Sequence, residues 1–230
     1  MIRPHFPTAA ALLLCGATTQ ALTVNFDDLP SPPALTSSTG LQYTTVPGDN
    51  SLYAGVVWDS RVTVVGDQVR TDPGTPGPLF GLPHSGHYFI TNGDGGNGIT
   101  LTTTQVLTGA WFGGIQYYGF VGSAGADQIT INAMHNGTTL ASVTYDLPKT
   151  AGGYDVAQPE PMTFVDTSNF ASLTGITGYT IDHHVPAPFA DNWAADDFQF
   201  QPATVPEPGA MAAVTGVLVL GFAVGRRCRR

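Results

Sequence analysis

Two acidic doublets stand near the two ends of the body of the chain, Asp27-Asp28 in NFDDLP and Asp196-Asp197 in NWAADDFQF. Calcium takes about six to eight oxygen ligands from carboxylates and backbone carbonyls. Clustered acids with no Lys or Arg beside them repel one another unless a cation or protons intervene. If the strands that carry them pair, the doublets come close, and a structural calcium there would draw first on Asp28 and Asp196. Side chains alternate along a strand, so each doublet is expected to send only one carboxylate to each face. The other reading of the same residues is strand-end caps and solvated turns, both of which Asp favours.

The remaining reactive residues offer weaker patterns. Asn92–Asn97 (NGDGGN) is Gly-rich and acidic, yet it lacks the spaced carboxylates and closing Glu of an EF-hand loop. It also lacks the Lys-Ser/Thr ending of a phosphate-binding loop, so a hairpin loop is the simpler reading. His183 and His184 are adjacent and would face opposite sides of a strand, which prevents both from holding one metal. His84 and His87 flank Ser85 in a Pro/Gly-rich stretch and read as surface histidines. Ser85 follows Pro83-His84, so the strand-turn-helix serine elbow is absent. With so many acids, a glycosidase-like carboxylate pair is always available on paper and carries no weight. Trp58, Trp111, Trp193, Tyr117 and Tyr118 could stack on sugar rings, although most aromatics of a β-domain are core. An enzyme is therefore not expected.

These residues sit on a body built of short β-signals. The chain has 28 Gly and 18 Pro. Thr, Val, Ile, Tyr and Phe recur in short runs, as strands favour. Leu22–Phe26, Tyr53–Trp58, Val62–Val65, Tyr88–Thr91, Ile99–Thr104, Ala110–Phe112, Ile115–Val121, Thr163–Val165, Tyr179–Ile181 and Phe198–Phe200 read as strands, with a short edge strand at Leu41–Tyr43. Thr71–Pro83 reads as a loop. Gln128–His135 and Thr138–Tyr145 flank Asn136-Gly137, whose residues accept the positive φ of a type I′ turn, so this is the firmest hairpin in the sequence. No fixed-period repeat is present. The expected architecture is all-β, a jelly-roll-like β-sandwich.

Both ends of the chain read as targeting segments rather than fold. Residues 1–21 have a basic start, a short apolar core through Leu12-Leu13-Leu14 and small residues before Ala21, the pattern of a signal peptide. Residues 22–203 then form the ectodomain. It holds three basic residues (Arg61, Arg70, Lys149) against sixteen acidic ones, a net charge of −13. Such a balance opposes nucleic-acid binding, which needs a basic face. Both cysteines, Cys15 and Cys228, fall outside it, so it holds no internal disulfide.

The C-terminal segment, 204–230, has three parts in fixed order: Val205-Pro206-Glu207-Pro208, an uncharged run over 209–225, and a tail containing Arg226, Arg227, Arg229 and Arg230. As a helix the run spans roughly 25 Å, at the short end for a bilayer core of about 30 Å. The arginines would stay cytoplasmic by the positive-inside rule. This order closely resembles the PEP-CTERM sorting signal of Gram-negative bacteria. The resemblance implies a precursor anchored in the inner membrane, recognised by an exosortase and cut near the Pro-Glu-Pro box for delivery to the cell surface. NFDDLP, YAGVVW, SGHYFITN and NWAADDFQF also resemble secreted bacterial sandwich domains that often carry such a tail, and more distantly lectin-like jelly rolls whose first and last strands are adjacent. The expected role is a structural or adhesive part of an extracellular matrix or biofilm. The alternative is a carbohydrate-binding module whose partner is an extracellular polysaccharide.

Overall fold

The computed structural model describes residues 21–36, 38–40, 52–68, 83–93, 96–114, 125–147, 162–184 and 193–203. The expected strands at Leu41–Tyr43 and Ile115–Val121, most of the Thr71–Pro83 loop, Asp94, Tyr117, Tyr118, nearly all of the N-terminal segment and everything from Thr204 onward lie outside the described residues.

Among the described residues, thirteen strands make two antiparallel sheets. In chain order they are β1 (Leu22–Val24), β2 (Ser38–Gly40), β3 (Leu52–Tyr53), β4 (Val56–Trp58), β5 (Thr63–Gly66), β6 (Tyr88–Thr91), β7 (Ile99–Thr102), β8 (Val106–Gly114), β9 (Gln128–His135), β10 (Thr138–Asp146), β11 (Thr163–Asp166), β12 (Gly178–His184) and β13 (Trp193–Gln201). One sheet runs β11-β8-β13-β6-β5-β2, with β1 added on β13, and the other runs β10-β9-β12-β7-β4-β3. A single 3-10 turn, Ser168–Ser172, interrupts the strands among the described residues.

The two sheets meet through their alternate side chains, as a sandwich requires. Trp58 of β4 meets Phe198 of β13 edge to face at 5.1 Å, and Phe26 packs on both. Val64, Ile90, Phe112 and Ala195 of one sheet and Leu101, Ile131, Tyr179 and Ile181 of the other share the same core. Each Val, Leu, Ile or Phe among them contributes about 1.5–3 kcal/mol when fully buried. A polar tie crosses the core: the Tyr179 hydroxyl accepts the Leu107 N–H at 2.8 Å and donates to the Gln105 carbonyl at 3.0 Å. Burial pushes that phenol up to about 12.

The first and last strands do pair. Leu22, Thr23 and Val24 stand opposite Phe200, Gln199 and Phe198. Asn136 and Gly137 take φ of 47° and 82° between β9 and β10, as the expected type I′ hairpin requires. Tyr53–Trp58 differs from expectation. It is not one strand but a tight hairpin, turning at Ala54 (φ 54°) and Gly55 (φ 74°). Ala54 is an unusual left-handed residue, and the Gln105 amide holds its carbonyl at 3.2 Å.

Candidate functional site

The segment His84-Ser85-Gly86-His87 meets Asp27 of the first acidic doublet and both acids of the second. The His87 N–H donates to Asp27 Oδ1 at 2.7 Å. Ser85 donates its N–H to Asp196 Oδ2 at 3.0 Å and its hydroxyl to Asp197 Oδ1 at 2.9 Å. His84 Nδ1 lies 2.5 Å from Asp197 Oδ2, and His87 Nδ1 lies 2.7 Å from Asp67 Oδ2. Because a carboxylate only accepts, each of these imidazoles carries its proton on Nδ1. Gly86 is required here. Its φ is +58°, and a Cβ at this position would stand 1.7 Å from Asp27 Oδ2.

Both acids of the second doublet reach this segment, against the expected alternation. The reason is a β-bulge. Asp196 stands opposite Trp111 and Gln199 opposite Gly109, so Asp197 and Phe198 together face Ala110 alone. Asp197 takes φ of 48°, which turns its carboxylate to the same side as that of Asp196 and returns Phe198 to the core. The Asp197 N–H also donates to Asp196 Oδ1 at 2.7 Å.

Asp196 is fully buried. Burial pushes its carboxyl up to about 8; the Ser85 N–H opposes the rise, the charge of Asp197 adds to it, and the Asp197 and His84 N–H groups oppose it. Burial is thus the cause that favours the protonated acid in the folded chain.

Above the doublet lies an aromatic surface. The His84 ring stacks on Trp111, with centroids 3.6 Å apart and planes 12° apart. Phe164 of β11 sits beside Trp111 at 5.6 Å. Phe164 lies over Gly109, where a Cβ would come within 2.2 Å of its ring. Trp111 packs in turn on Val65, Phe89, Met162 and Ala194, a second apolar cluster apart from the main core. Trp111 is only partly buried, whereas Trp58 and Trp193 belong to the core. Trp111 is thus covered by the His84 ring and held on the second apolar cluster. Ser85 and His84 both hold Asp197 rather than each other, so the serine proton goes to a carboxylate and not to an imidazole.

The expected calcium residues take separate partners. Asp28 is exposed and accepts the Tyr53 hydroxyl, while Asp196 is buried against Ser85. Burial, and then the hydrogen bond to Asp28, raise the Tyr53 phenol above its usual range. Among the described residues no group of three His, Cys, Asp or Glu side chains is arranged to hold a metal ion.

The described parts of the Gly-rich loop are held by a cation that the chain supplies itself. Arg61 donates Nε and Nη2 to the Asp59 carboxylate at 2.9 and 2.8 Å. It also donates Nη1 to the Asn97 carbonyl at 3.0 Å and Nη2 to the Gly98 carbonyl at 2.8 Å. Arg61 holds the Asp59 carboxyl well below the usual carboxylate range. Asn97 accepts the His183 N–H at 2.8 Å, and His184 Nδ1 lies 2.7 Å from Asp127 Oδ1. His183 is thus held here through its backbone N–H, whereas the His184 ring turns to Asp127.

Sequence reasoning missed the link of His84, Ser85 and Trp111 to Asp197. The one available signal was the fragment SGHYFITN, read for likeness and not for its polar groups. No protein-family model matches the chain, and no curated protein or solved structure matches it.

Proposed function

We propose that this chain is an exported, non-enzymatic surface protein that an exosortase sorts and that serves as a structural or adhesive part of an extracellular matrix or biofilm. The observation that carries this reading is the order box, apolar run, arginines in Val205–Arg230. In it, residues 1–21 are a signal peptide, residues 209–225 a transmembrane helix, and Arg226, Arg227, Arg229 and Arg230 its cytoplasmic stop. The precursor is anchored in the inner membrane of a Gram-negative bacterium before release to the surface. The register of β1 on β13 supports the scheme. Leu22 stands opposite Phe200, so leader and anchor would join the sandwich side by side, and the rest of the domain extends away from the membrane. The adjacent terminal strands also favour a jelly-roll-like reading of the sandwich. The test is processing in matched hosts with and without an exosortase. Shortening and surface delivery are expected only with the enzyme and an intact Val205–Pro208 box; identical products in both hosts would refute the proposal.

One observation favours a second reading, a carbohydrate-binding module. Trp111, with His84 and Phe164 beside it, places aromatic rings outside the core next to a carboxylate. In that reading Trp111→Ala weakens retention on extracellular polysaccharide by about two- to tenfold, since a ring contact contributes roughly 0.5–1.5 kcal/mol. Unchanged retention with an unchanged fold would exclude it.

A further inference from the structure

The sheet edges of the described residues are unequal. The ends of the seven-stranded sheet are β2, of three residues, and β11, of four; one end of the other sheet is β3, of two. Short edges are a common protection against pairing with another chain. β1, of three residues, is a further short edge on β13, whereas β10, at the other end of the six-stranded sheet, is nine residues long and, among the described residues, pairs only with β9.

The composition of β10 adds to this. Thr138–Tyr145 (TTLASVTY) has no charge, no Pro and no Gly, in a domain of net charge −13. High β-propensity with low charge and no Pro is the signature of a segment that pairs with copies of itself. The strand is also incompletely covered. Leu140 and Tyr145 are exposed, large hydrophobic side chains, and Ala141 and Val143 pack only partly against the core. A bulge at Leu140 disturbs the turn end of the strand and leaves Ala141–Asp146 in regular register with β9.

We infer that β10 is a self-association edge, on which a second copy of this chain adds its own β10 antiparallel about a two-fold axis near Val143. Neutrality selects the occupant. The sixteen acids of the body repel a second copy elsewhere, but here neutral residues meet neutral residues. With the axis at Val143, Ser142 faces the partner's Thr144 and Ala141 the partner's Tyr145. The single acid, Asp146, meets the partner's Leu140, so the two Asp146 carboxylates lie at opposite ends of the interface. Pairing satisfies the open backbone groups of both edges and joins the two six-stranded sheets into one. The inference stands on this strand alone and does not depend on where the protein is delivered.

The test is sedimentation of the full chain in a non-ionic detergent. The native chain is expected to dimerise. Ser142→Lys with Thr144→Lys sets lysines against each other across the axis, and both hydroxyls bond only to β9 side chains. This variant is expected to associate at least about tenfold more weakly with unchanged circular dichroism, while Val57→Lys on another strand leaves dimerisation intact. A monomeric native chain, or a double-lysine variant that associates as tightly as native, would overturn the inference. Should the lysines prevent folding, Ser142→Cys in a chain with Cys15→Ser and Cys228→Ser gives the second test. A short bismaleimide is expected to trap a covalent dimer, and its absence would equally overturn the inference.

Discussion

Asp196 departs furthest from the ordinary behaviour of its residue type. Its carboxyl is raised to about 8, so the folded state keeps a proton that the unfolded state, near 3.8, releases. Between these values the folded state binds more protons, and stability therefore falls as pH rises from about 4 to about 8. This contribution is full below the unfolded value and lost through the folded one, the reverse of the usual carboxylate. Asp196→Asn removes the titration but sets an amide NH2 against at least one of the backbone N–H donors, a cost of about 1–3 kcal/mol. Urea unfolding is expected to show native protein losing stability between pH 5 and pH 9 and Asp196→Asn losing less, so that the two curves converge. Parallel curves would place the proton elsewhere. Gly86→Ala is the steric counterpart. It sets a Cβ into the Asp27 carboxylate at positive φ and is expected to cost about 2–4 kcal/mol by thermal unfolding.

At the scale of elements, what could be read from the chain was what local chemistry decides. Asn136-Gly137 fixes its hairpin because both residues accept positive φ, whatever surrounds them. Gln128–His135 alternates cleanly, Tyr88–Thr91 is a short run of strand-forming residues, and both form strands with the expected bounds. Tyr53–Trp58 misled because Ala54 gives no turn signal, and its left-handed conformation is held from afar by Gln105. The bulge at Asp197 was hidden for a similar reason. Only the pairing of β13 with β8 reveals the extra residue, and it is the bulge that turns two alternating acids toward one loop. The Arg61 clamp joins positions 36 and 37 residues apart, beyond any local pattern. Arg61→Ala is expected to lose about 1–3 kcal/mol and to speed amide hydrogen exchange at His183 and Thr100. Arg61→Lys should recover only part, because an ammonium cannot reproduce the fork. Exchange at those amides unchanged from native would show that the clamp is not what holds the loop.

At the scale of the whole molecule, the first and last described strands lie side by side, and a peptide segment, His84–His87, links Asp27 to Asp196 and Asp197. Calcium tests whether that segment suffices. Asp196 already receives two N–H groups and Asp28 the Tyr53 hydroxyl, so calcium or a chelator is expected to leave the melting temperature of the chain unchanged. A rise with calcium, lost in Asp28→Ala or Asp196→Ala, would instead establish a cation bound to the folded state. The proposal of export and sorting rests on both ends of the chain, and the mass of the protein at the cell surface tests both at once. Intact-mass spectrometry of the surface form from an exosortase-bearing host is expected to give a chain that begins at Leu22 and ends at or near the Val205–Pro208 box. A surface form that retains Arg226–Arg230, or still begins at Met1, would contradict it.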